Sequence, residues 1–458
     1  MALLAAALVG CGRGGDAASG HPNVLLVTVD TLRADHLGAY GYSLPTSPSI
    51  DALSARGVRF AHATASAPET APAAASLLTG RLQADSRVRR NGHRLPPEVT
   101  TLAEAASKAG WSTAAVVANP LLIGDYGFDQ GVTHFTHIRR LDGLSDDRVA
   151  DAAIEWMRGA SAPWFLWVHF MDPHNPPAAD PEWSAGFTYP DGAFGDDPPL
   201  PRGSPVELRV IPSGQWQDGA DRLSQYVRWY DGDVRFTDAQ IGRVLDALRA
   251  GGQEARTLVV LTADHGESLT EHGELLQHGW FVYEPTLRIP LVVSWPGQLP
   301  SGRVVTTRVS GVDVAPTINE LAGFGLGPDD LLDGTSLVPC LLGDCARAEP
   351  VLALGGRDNH PLALYDGEWK LVQTPGKTPP TPTERTLPID GFPTAERLEL
   401  YRLDEDPGEL RDVAGAHPDR VAAMRARLMP IRQRLRAFGW GWYPGSSIPL
   451  DDGAEAAR

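Results

Sequence analysis

The chain has 458 residues, of which 42% are hydrophobic and 21% are charged, and its net charge at pH 7 is −17. This length allows one large α/β domain with a smaller piece, or two domains. The acidic balance argues against a basic face that binds nucleic acid, and an anionic ligand would need a local positive site such as a metal ion.

The N-terminus predicts an exported protein. Residues 1–10 read MALLAAALVG, and Leu8-Val9-Gly10-Cys11 resembles the lipobox of bacterial lipoprotein signal peptides. A lipid on the thiol of Cys11 would anchor the protein to a membrane, in the periplasm or at the cell surface, and residues 1–20 would be signal peptide and tether. Because no Lys or Arg precedes the apolar run, an ordinary apolar N-terminus with a chance cysteine is the alternative.

Apolar runs predict β-strands, and helical patterns lie between them. The predicted strands cover residues 23–30, 112–118, 163–170, 257–263 and 289–295. The predicted helices cover residues 49–56, 73–78, 100–108, 145–157 and 223–249. This alternation is typical of a mixed, mostly parallel sheet sandwiched by helices. The Pro- and Gly-rich segment 173–220 is expected to be a surface insertion near an active edge.

The pattern changes after residue 350. Residues 362–372 predict a hairpin that turns at Asp-Gly, residues 398–403 a further strand, and residues 418–436 an amphipathic helix. We therefore expect a small antiparallel sheet with a terminal helix. The expected domain organisation is a signal and tether (1–20), a catalytic domain (21–350), a C-terminal subdomain (351–440) and a loosely ordered tail (441–458).

Two cysteines remain, Cys340 and Cys345, separated by four residues. In an exported protein they would form a local disulfide, and the competing interpretation is a pair of free thiols. No further Cys or His stands at a spacing that suits a structural zinc site.

Three of the predicted strands lead to an acid, which for residues 163–170 is Asp172. The first closes on Asp30, and the fourth is followed at once by Asp264 and His265. Because ligands of open α/β sheets bind at the carboxyl ends of the strands, we expect these three side chains to meet at one edge. Carboxylates and imidazoles are ligands of divalent metal ions. The alternative is that each acid merely ends its strand or caps the next helix.

The motifs, taken in order, resemble those of the sulfatase family of the alkaline phosphatase superfamily. They are TVDTLRADHLGAYGY (28–42), IDxLxxxGVxF (50–60), SLLTG (76–80), VHFMDPHxP (168–176), TADHGE (262–267), RIPLVV (288–293) and ELYRLDEDPGE (399–409). The resemblance spans nearly the whole chain after residue 20. It implies an alkaline-phosphatase-like α/β fold, a divalent metal ion, and hydrolysis of anionic sulfate esters, those of glycans among them.

The nucleophile position departs from the family pattern. Typical members carry C/S-x-P-S/A-R, whose Cys or Ser is oxidised to formylglycine, whereas this chain reads TAPAA over residues 70–74. Thr70 stands in the nucleophile's place and cannot be oxidised in that way, and Ala74 replaces the motif Arg. Related phosphodiesterases and lipoteichoic acid synthases imply that a metal-bound Thr70 hydroxyl attacks directly. The alternative is that Thr70 is a helix N-cap in a degenerate site.

The resemblance implies a metal-ligand set of Asp30, Thr70, Asp264 and His265. Thr31 stands where the family usually has a second acid, so this set has one carboxylate fewer than the usual calcium site. An imidazole in a smaller ligand set moves the expectation from calcium toward manganese, magnesium or zinc.

The resemblance also suggests groups for anion binding and proton transfer. His174 matches the substrate-contacting His of the family, and His278 stands near the position of a Lys that contacts sulfate. A protonated His278 would hold an anionic oxygen or protonate the leaving alkoxide. Arg33 is a further candidate anion contact. Three other polar residues of these motif regions are expected to have structural roles: Asp35, His169 and His272.

The sequence leaves three functions open. The first is a sulfatase-type hydrolase, and the second is a phosphodiesterase or phospho-group transferase, which Thr70 favours chemically. The third is a non-catalytic surface lipoprotein with a degenerate pocket. Two differences from typical members favour this third function. Ala74 replaces the motif Arg, and residues 110–120, which include Ala118, carry neither the Lys nor the His that typical members have there.

Overall fold

The computed structural model describes residues 20–437, except 140–142, 179, 205–208, 328–329, 331–332, 344, 348, 356–360 and 375–395. Cys11 and the tail 441–458 lie outside the described residues, so the expectations for them stay predictions. Among the helices within the described ranges, none is both long enough and apolar enough to cross a membrane.

Among the described residues, the strands form one large sheet and three small ones. The strands are β1 (Asn23–Val29), β2 (Val58–Phe60), β3 (Ala63–Thr64), β4 (Ser112–Val117), β5 (His134–His137), β6 (Trp164–Phe170), β7 (Arg202–Gly203), β8 (Ile211–Pro212), β9 (Thr257–Ala263), β10 (Arg288–Ile289), β11 (Leu291–Ser294), β12 (Arg303–Val305), β13 (Val309–Ser310), β14 (Val351–Leu354), β15 (Leu362–Asp366), β16 (Trp369–Thr374) and β17 (Arg397–Arg402). The large sheet has eight strands in the order β12-β2-β11-β9-β1-β6-β4-β5. The five strands from β9 to β5 run parallel, and β11 runs antiparallel to β9.

Helices pack around this sheet in two groups. The helices are α1 (Pro48–Arg56), α2 (Thr70–Thr79), α3 (Gln83–Ser86), α4 (Leu102–Lys108), α5 (Asp146–Gly159), α6 (Pro181–Ser184), α7 (Leu223–Ala250), α8 (Glu284–Leu287), α9 (Val314–Ala322), α10 (Val338–Leu342) and α11 (Pro418–Ala437). Helix α7 contacts α1, α5 and α6, whereas α2 contacts α3, α4 and α9. Every residue of β1, β6 and β9 is buried, as near-continuous apolar runs between helical layers require. The predicted mixed α/β fold is confirmed.

Proline divides the fifth predicted strand. Residues 289–295 were expected to form one strand, but Arg288–Ile289 pairs with β3 in a small sheet while Leu291–Ser294 joins the large one. Pro290 lies between them and has no N–H to give to a ladder, so strand pairing is interrupted there. The prediction of a continuous strand is wrong for that reason.

The C-terminal residues form the predicted antiparallel sheet, in the order β14-β15-β16-β17. The hairpin turns at Gly367, whose φ of 62° is a left-handed conformation that glycine adopts without strain. Fully buried Lys370 joins this sheet to the main domain, since its Nζ lies 2.6 Å from Glu409 and 3.2 Å from Glu284 of α8. The predicted disulfide between Cys340 and Cys345 is present.

Candidate active site

Four neighbouring parallel strands bring polar side chains to one edge of the large sheet. Asp30 follows β1, Asp264 follows β9, and Asn119 lies two residues beyond the end of β4. His169 is the penultimate residue of β6. All four are at most 2% exposed. The edge predicted from the strand ends therefore gathers two acids, and it adds an amide and an imidazole that were not predicted there.

The two carboxylates each present an oxygen without a donor. Oδ1 of Asp264 accepts from the backbone N–H groups of Thr31 (3.3 Å) and His265 (2.8 Å). Its Oδ2, like Oδ1 of Asp30, accepts no hydrogen bond from the described residues. Burial, together with the charge of Asp30, raises the pKa of Asp264. Two buried carboxylate oxygens without donors are costly unless a cation lies between them, so the donor set fits a metal ion.

His265 has the tautomer that a metal ligand needs. Its Nδ1 donates to the carbonyl of Gly266 at 2.8 Å, which leaves the Nε2 lone pair available. Nε2 lies 3.9 Å from Oδ1 of Asp30 and 3.6 Å from Oδ2 of Asp264, the two oxygens without donors. Burial lowers the pKa of His265 and keeps the ring neutral. The structure thus gathers three of the four predicted ligands around one point.

Thr70, the fourth predicted ligand, is also at this point. It is the first residue of α2, whose N-cap is Glu69, and its Oγ1 lies 3.3 Å from Nε2 of His265. The backbone N–H of Ala71 is bound by the side chain of Asn91 at 2.9 Å. The alternative that Thr70 is the N-cap is therefore wrong, because its hydroxyl faces His265 and another side chain serves the helix end.

Two groups hold the other oxygen of Asp30. Asn119 donates its Nδ2–H to Oδ2 of Asp30 at 2.5 Å, and Nε2 of His169 lies 3.4 Å from the same oxygen. Asp30, His169 and Asp264 also lie close enough together to share a metal ion. His169, which was expected to be structural, thus contacts a proposed metal ligand, and its role stays a prediction. The available signals were a polar residue near the end of β6 and another just past β4.

Imidazoles surround the Asp30 carboxylate. Burial opposes its ionisation, but His174, His169 and His265 outweigh that effect and hold the pKa of Asp30 below its ordinary value. Such an anion is ready to bind a cation at neutral pH.

His174 and His278, the predicted substrate contacts, lie beside the metal-ligand candidates. Their ring centroids are 5.2 Å apart, and those of His278 and His265 are 4.4 Å apart. Nδ1 of His278 is 3.1 Å from Oε1 of Glu267, a fully buried carboxylate. The sequence placed both imidazoles near the site but did not identify this partner, although Glu267 directly follows the Asp-His-Gly motif.

Arg33 does not reach an anion site. Its guanidinium donates to both carboxylate oxygens of Asp35, to Glu271 and to the carbonyl of Glu267. These bonds tie the loop after β1 to the loop after β9, so Arg33 supports the loop structure, contrary to the predicted anion contact. Asp35 takes part in ordering this loop. His272 stacks on Tyr283 with ring centroids 3.7 Å apart.

Two family models match the chain. The model described as Sulfatase matches residues 22–324, and the model described as N-sulphoglucosamine sulphohydrolase, C-terminal matches residues 271–434. Among similar curated proteins, the choline-sulfatase of Rhizobium meliloti is 26% identical over 95% of each chain. The delta 4,5-hexuronate-2-O-sulfatase of Bacteroides thetaiotaomicron is 25% identical over 86% of this chain and 84% of its own.

Solved structures share the fold. One, determined in complex with its substrate D-glucosamine-2-N,6-O-disulfate, has a TM-score of 0.72 at 19% identity and covers 91% of this chain and 98% of its own. The phosphonate monoester hydrolase of Agrobacterium radiobacter has a TM-score of 0.71 at 24% identity and covers 90% and 96%.

Proposed function

Because the chain belongs to the sulfatase family, we propose that it is a metal-dependent sulfuric ester hydrolase in which Thr70 is the nucleophile. The observation that carries this proposal is the position of the Thr70 hydroxyl. It lies 3.3 Å from the available Nε2 of His265, which faces the two carboxylate oxygens without donors.

A divalent cation fits these donors. Asp30, Asp264, His265 and Thr70 would hold it, with Asn119 orienting the first carboxylate. When bound, such an ion neutralises charge on the ester and lowers the pKa of a hydroxyl in contact with it. Oxygen donors suit calcium, and the imidazole in a small ligand set suits manganese, magnesium or zinc.

The side chains then have distinct tasks in two displacements at sulfur. The Thr70 hydroxyl gives its proton to water as its Oγ attacks the sulfur, and the bond from sulfur to the alcohol oxygen breaks as the new one forms. The leaving oxygen takes a proton from His278 or His174, which releases the alcohol and leaves a threonine sulfate ester. Water next attacks this sulfur, hydrogen sulfate departs, and Thr70 regains its proton. The N-terminus of α2 favours the anionic groups that form there.

Sulfate monoesters, those of glycans included, are the proposed substrates. Support comes from similar proteins named as choline and hexuronate sulfatases, and from a structural neighbour solved with a disulfated glucosamine. We also propose that the protein is exported and held to a membrane by a lipid on Cys11. The lipobox-like sequence supports this location, and the Cys340–Cys345 disulfide fits an oxidising compartment.

A second candidate is a phosphodiesterase or phospho-group transferase. The observation that favours it is Thr70 itself, because a threonine nucleophile needs no oxidation and suits attack on phosphorus. The chain shares its fold with a phosphonate monoester hydrolase.

Substrate and metal panels separate these functions. Purified protein is assayed with an aryl sulfate, an aryl phosphate and an aryl phosphodiester, each with calcium, manganese, magnesium or zinc and after chelation. We expect the highest turnover with the sulfate, and Thr70→Ala should lower it by at least about 1,000-fold. The control is Thr79→Ala on the same helix, where the buried hydroxyl bonds only to the carbonyl of Ala75 among the described residues.

Each other outcome has a definite meaning. Turnover that survives Thr70→Ala removes this residue from the mechanism, and faster turnover of the phosphodiester selects the second candidate. No turnover with any ester, together with no bound metal, favours the non-catalytic binding protein.

A further inference from the structure

A chain of hydrogen bonds links His174 to His278 across the site. Nδ1 of His174 donates to the backbone carbonyl of Asn175 at 2.5 Å, and the side-chain Nδ2 of Asn175 donates to Oε2 of Glu267 at 2.8 Å. The other oxygen of Glu267 lies 3.1 Å from Nδ1 of His278. Asn175 and Glu267 are 3% and 0% exposed. One amide and one carboxylate therefore connect both imidazoles.

The acceptors in this chain decide where the ring protons are. A backbone carbonyl and an ionised carboxylate can only accept, so both imidazoles must carry hydrogen on Nδ1. A carboxylate suits these contacts, because Asn175 donates to one oxygen of Glu267 and Nδ1 of His278 lies 3.1 Å from the other. For His278 this leaves Nε2 as the ring nitrogen that can exchange a proton with a bound ester.

The bridge also joins two irregular segments. Asn175 lies in the loop after β6, whereas Glu267 and His278 lie in the loop after β9. Within the loop after β9, a backbone bridge between Ser268 and Gln277 already brings Glu267 and His278 together. The bond from Asn175 to Glu267 adds a side-chain link from the loop after β6, and such links help side chains on separate loops to keep a shared geometry. Each side-chain oxygen of Glu267 has one of these donors, and the two donors come from different loops.

We infer that Glu267 and Asn175 are positioning residues, which hold the Nδ1–H of His278 and orient the ring so that the proton for the leaving oxygen passes through Nε2. This inference rests on the proposed function for its catalytic part. A purely structural bridge would hold the loops together without regard to the state of His278. The two possibilities differ in whether the effect of Glu267 passes through His278.

A double-mutant cycle tests that difference. The variants are Glu267→Met, which removes both acceptor oxygens at similar length, His278→Ala, and the combination. We expect Glu267→Met to lower kcat about 10- to 100-fold, as loss of an orienting partner does, and to change KM less than about threefold. In the His278→Ala background the same substitution should change kcat less than about threefold, because its target is gone.

Additive losses in this cycle would overturn the inference, as would full activity of Glu267→Met. Should Glu267→Met fail to fold, the cycle is run with Glu267→Gln and read by the same rule. Glu274→Gln is the matched control, since Glu274 lies in the same loop, is 1% exposed and accepts from the backbone N–H of Trp280. It should keep wild-type kcat.

A second measurement does not depend on turnover. Nitrogen NMR of histidine-labelled, metal-loaded protein without substrate reports the tautomer of each ring, and His174→Ala and His278→Ala assign the two signals. We expect hydrogen on Nδ1 in both rings of the wild type, and a shift of His278 toward the Nε2–H form in Glu267→Met or Glu267→Gln. An unchanged His278 tautomer overturns the bridge. An inactive wild type would refute the proposed function and leave this readout standing.

Discussion

Replacement of Asp264 by Asn should stabilise the protein without metal and remove its response to metal. In the metal-free wild type, Oδ2 of Asp264 has no donor among the described residues. The Asn keeps one oxygen for the N–H groups of Thr31 and His265, and it places an amide N–H₂ where Oδ2 was. Nε2 of His265, 3.6 Å from that position, becomes an acceptor for the new amide.

The size of this effect follows from the groups involved. A buried polar group without a partner costs about 1–3 kcal/mol, and more when it is charged. We therefore expect Asp264→Asn to be more stable than the wild type by about 2 kcal/mol in the presence of a chelator. A divalent ion at 1,000 times its Kd should stabilise the wild type by about 4 kcal/mol. Because the variant loses a metal ligand, the order of stability should reverse when metal is added.

Denaturant unfolding is the appropriate assay. For 458 residues, a change of 1 kcal/mol moves Tm by only about 1 °C, whereas a denaturant midpoint responds more clearly. Asp313→Asn is the control, because it removes a buried carboxylate that pairs with Arg347. The control should lose stability and keep the full response to metal.

The pH dependence gives a further check on the same variant. The pKa of Asp264 is raised by burial and by Asp30, so its contribution to stability is fully present below the unfolded pKa and is lost as pH rises through the folded pKa. The advantage of Asp264→Asn in chelator should thus grow from pH 4 to pH 8. A variant less stable than the wild type in chelator at pH 8, or one that metal stabilises as strongly as the wild type, refutes the reasoning.

Three further substitutions test other parts of the structure. Lys370→Met should lower the free energy of unfolding by about 3–5 kcal/mol, because it leaves the buried Glu409 carboxylate without its cation, and an unchanged denaturant midpoint would contradict this. Asp238→Ala removes the acceptor that binds two N–H groups at the start of α1 and should cost about 1–2 kcal/mol in the same assay, whereas Asp238→Glu should recover part of the loss. Asn119→Ala should weaken metal binding about 10-fold in calorimetry, because the Asp30 carboxylate loses its donor, and equal affinity would rule out that role.

The sequence was sufficient for the main features of the fold. The apolar runs that form β1, β6 and β9 are long and nearly continuous, and such runs predict strands that are buried on both faces of the sheet. The turn at Gly367 was equally clear, because few residues adopt its left-handed backbone without strain. The division of a strand at Pro290 could not be predicted from the sequence, because it depended on which sheet each flanking segment joined.

The site residues that could be predicted are the acids directly after the strands. Asp30 and Asp264 follow strands that are neighbours in the sheet, so strand order alone brings them together. The contact between His169 and Asp30 was not predicted, because the residues next to His169 along the chain give no sign that its ring meets Asp30 across the sheet. Arg33 was misjudged for the opposite reason: its position in a motif suggested an anion, whereas carboxylates from its own loop and a distant one bind it.

Residue types and local periodicity thus predicted the strands and the helices, and they identified the side chains that could bind a metal ion, attack an ester or transfer a proton. Tertiary structure decided which of those side chains face one another, such as Thr70 and His265, or Glu267 and His278. The physical reason is that hydrogen bonds and ion pairs act over a few ångströms, and separations that short between remote residues are set by how strands pair and how loops pack.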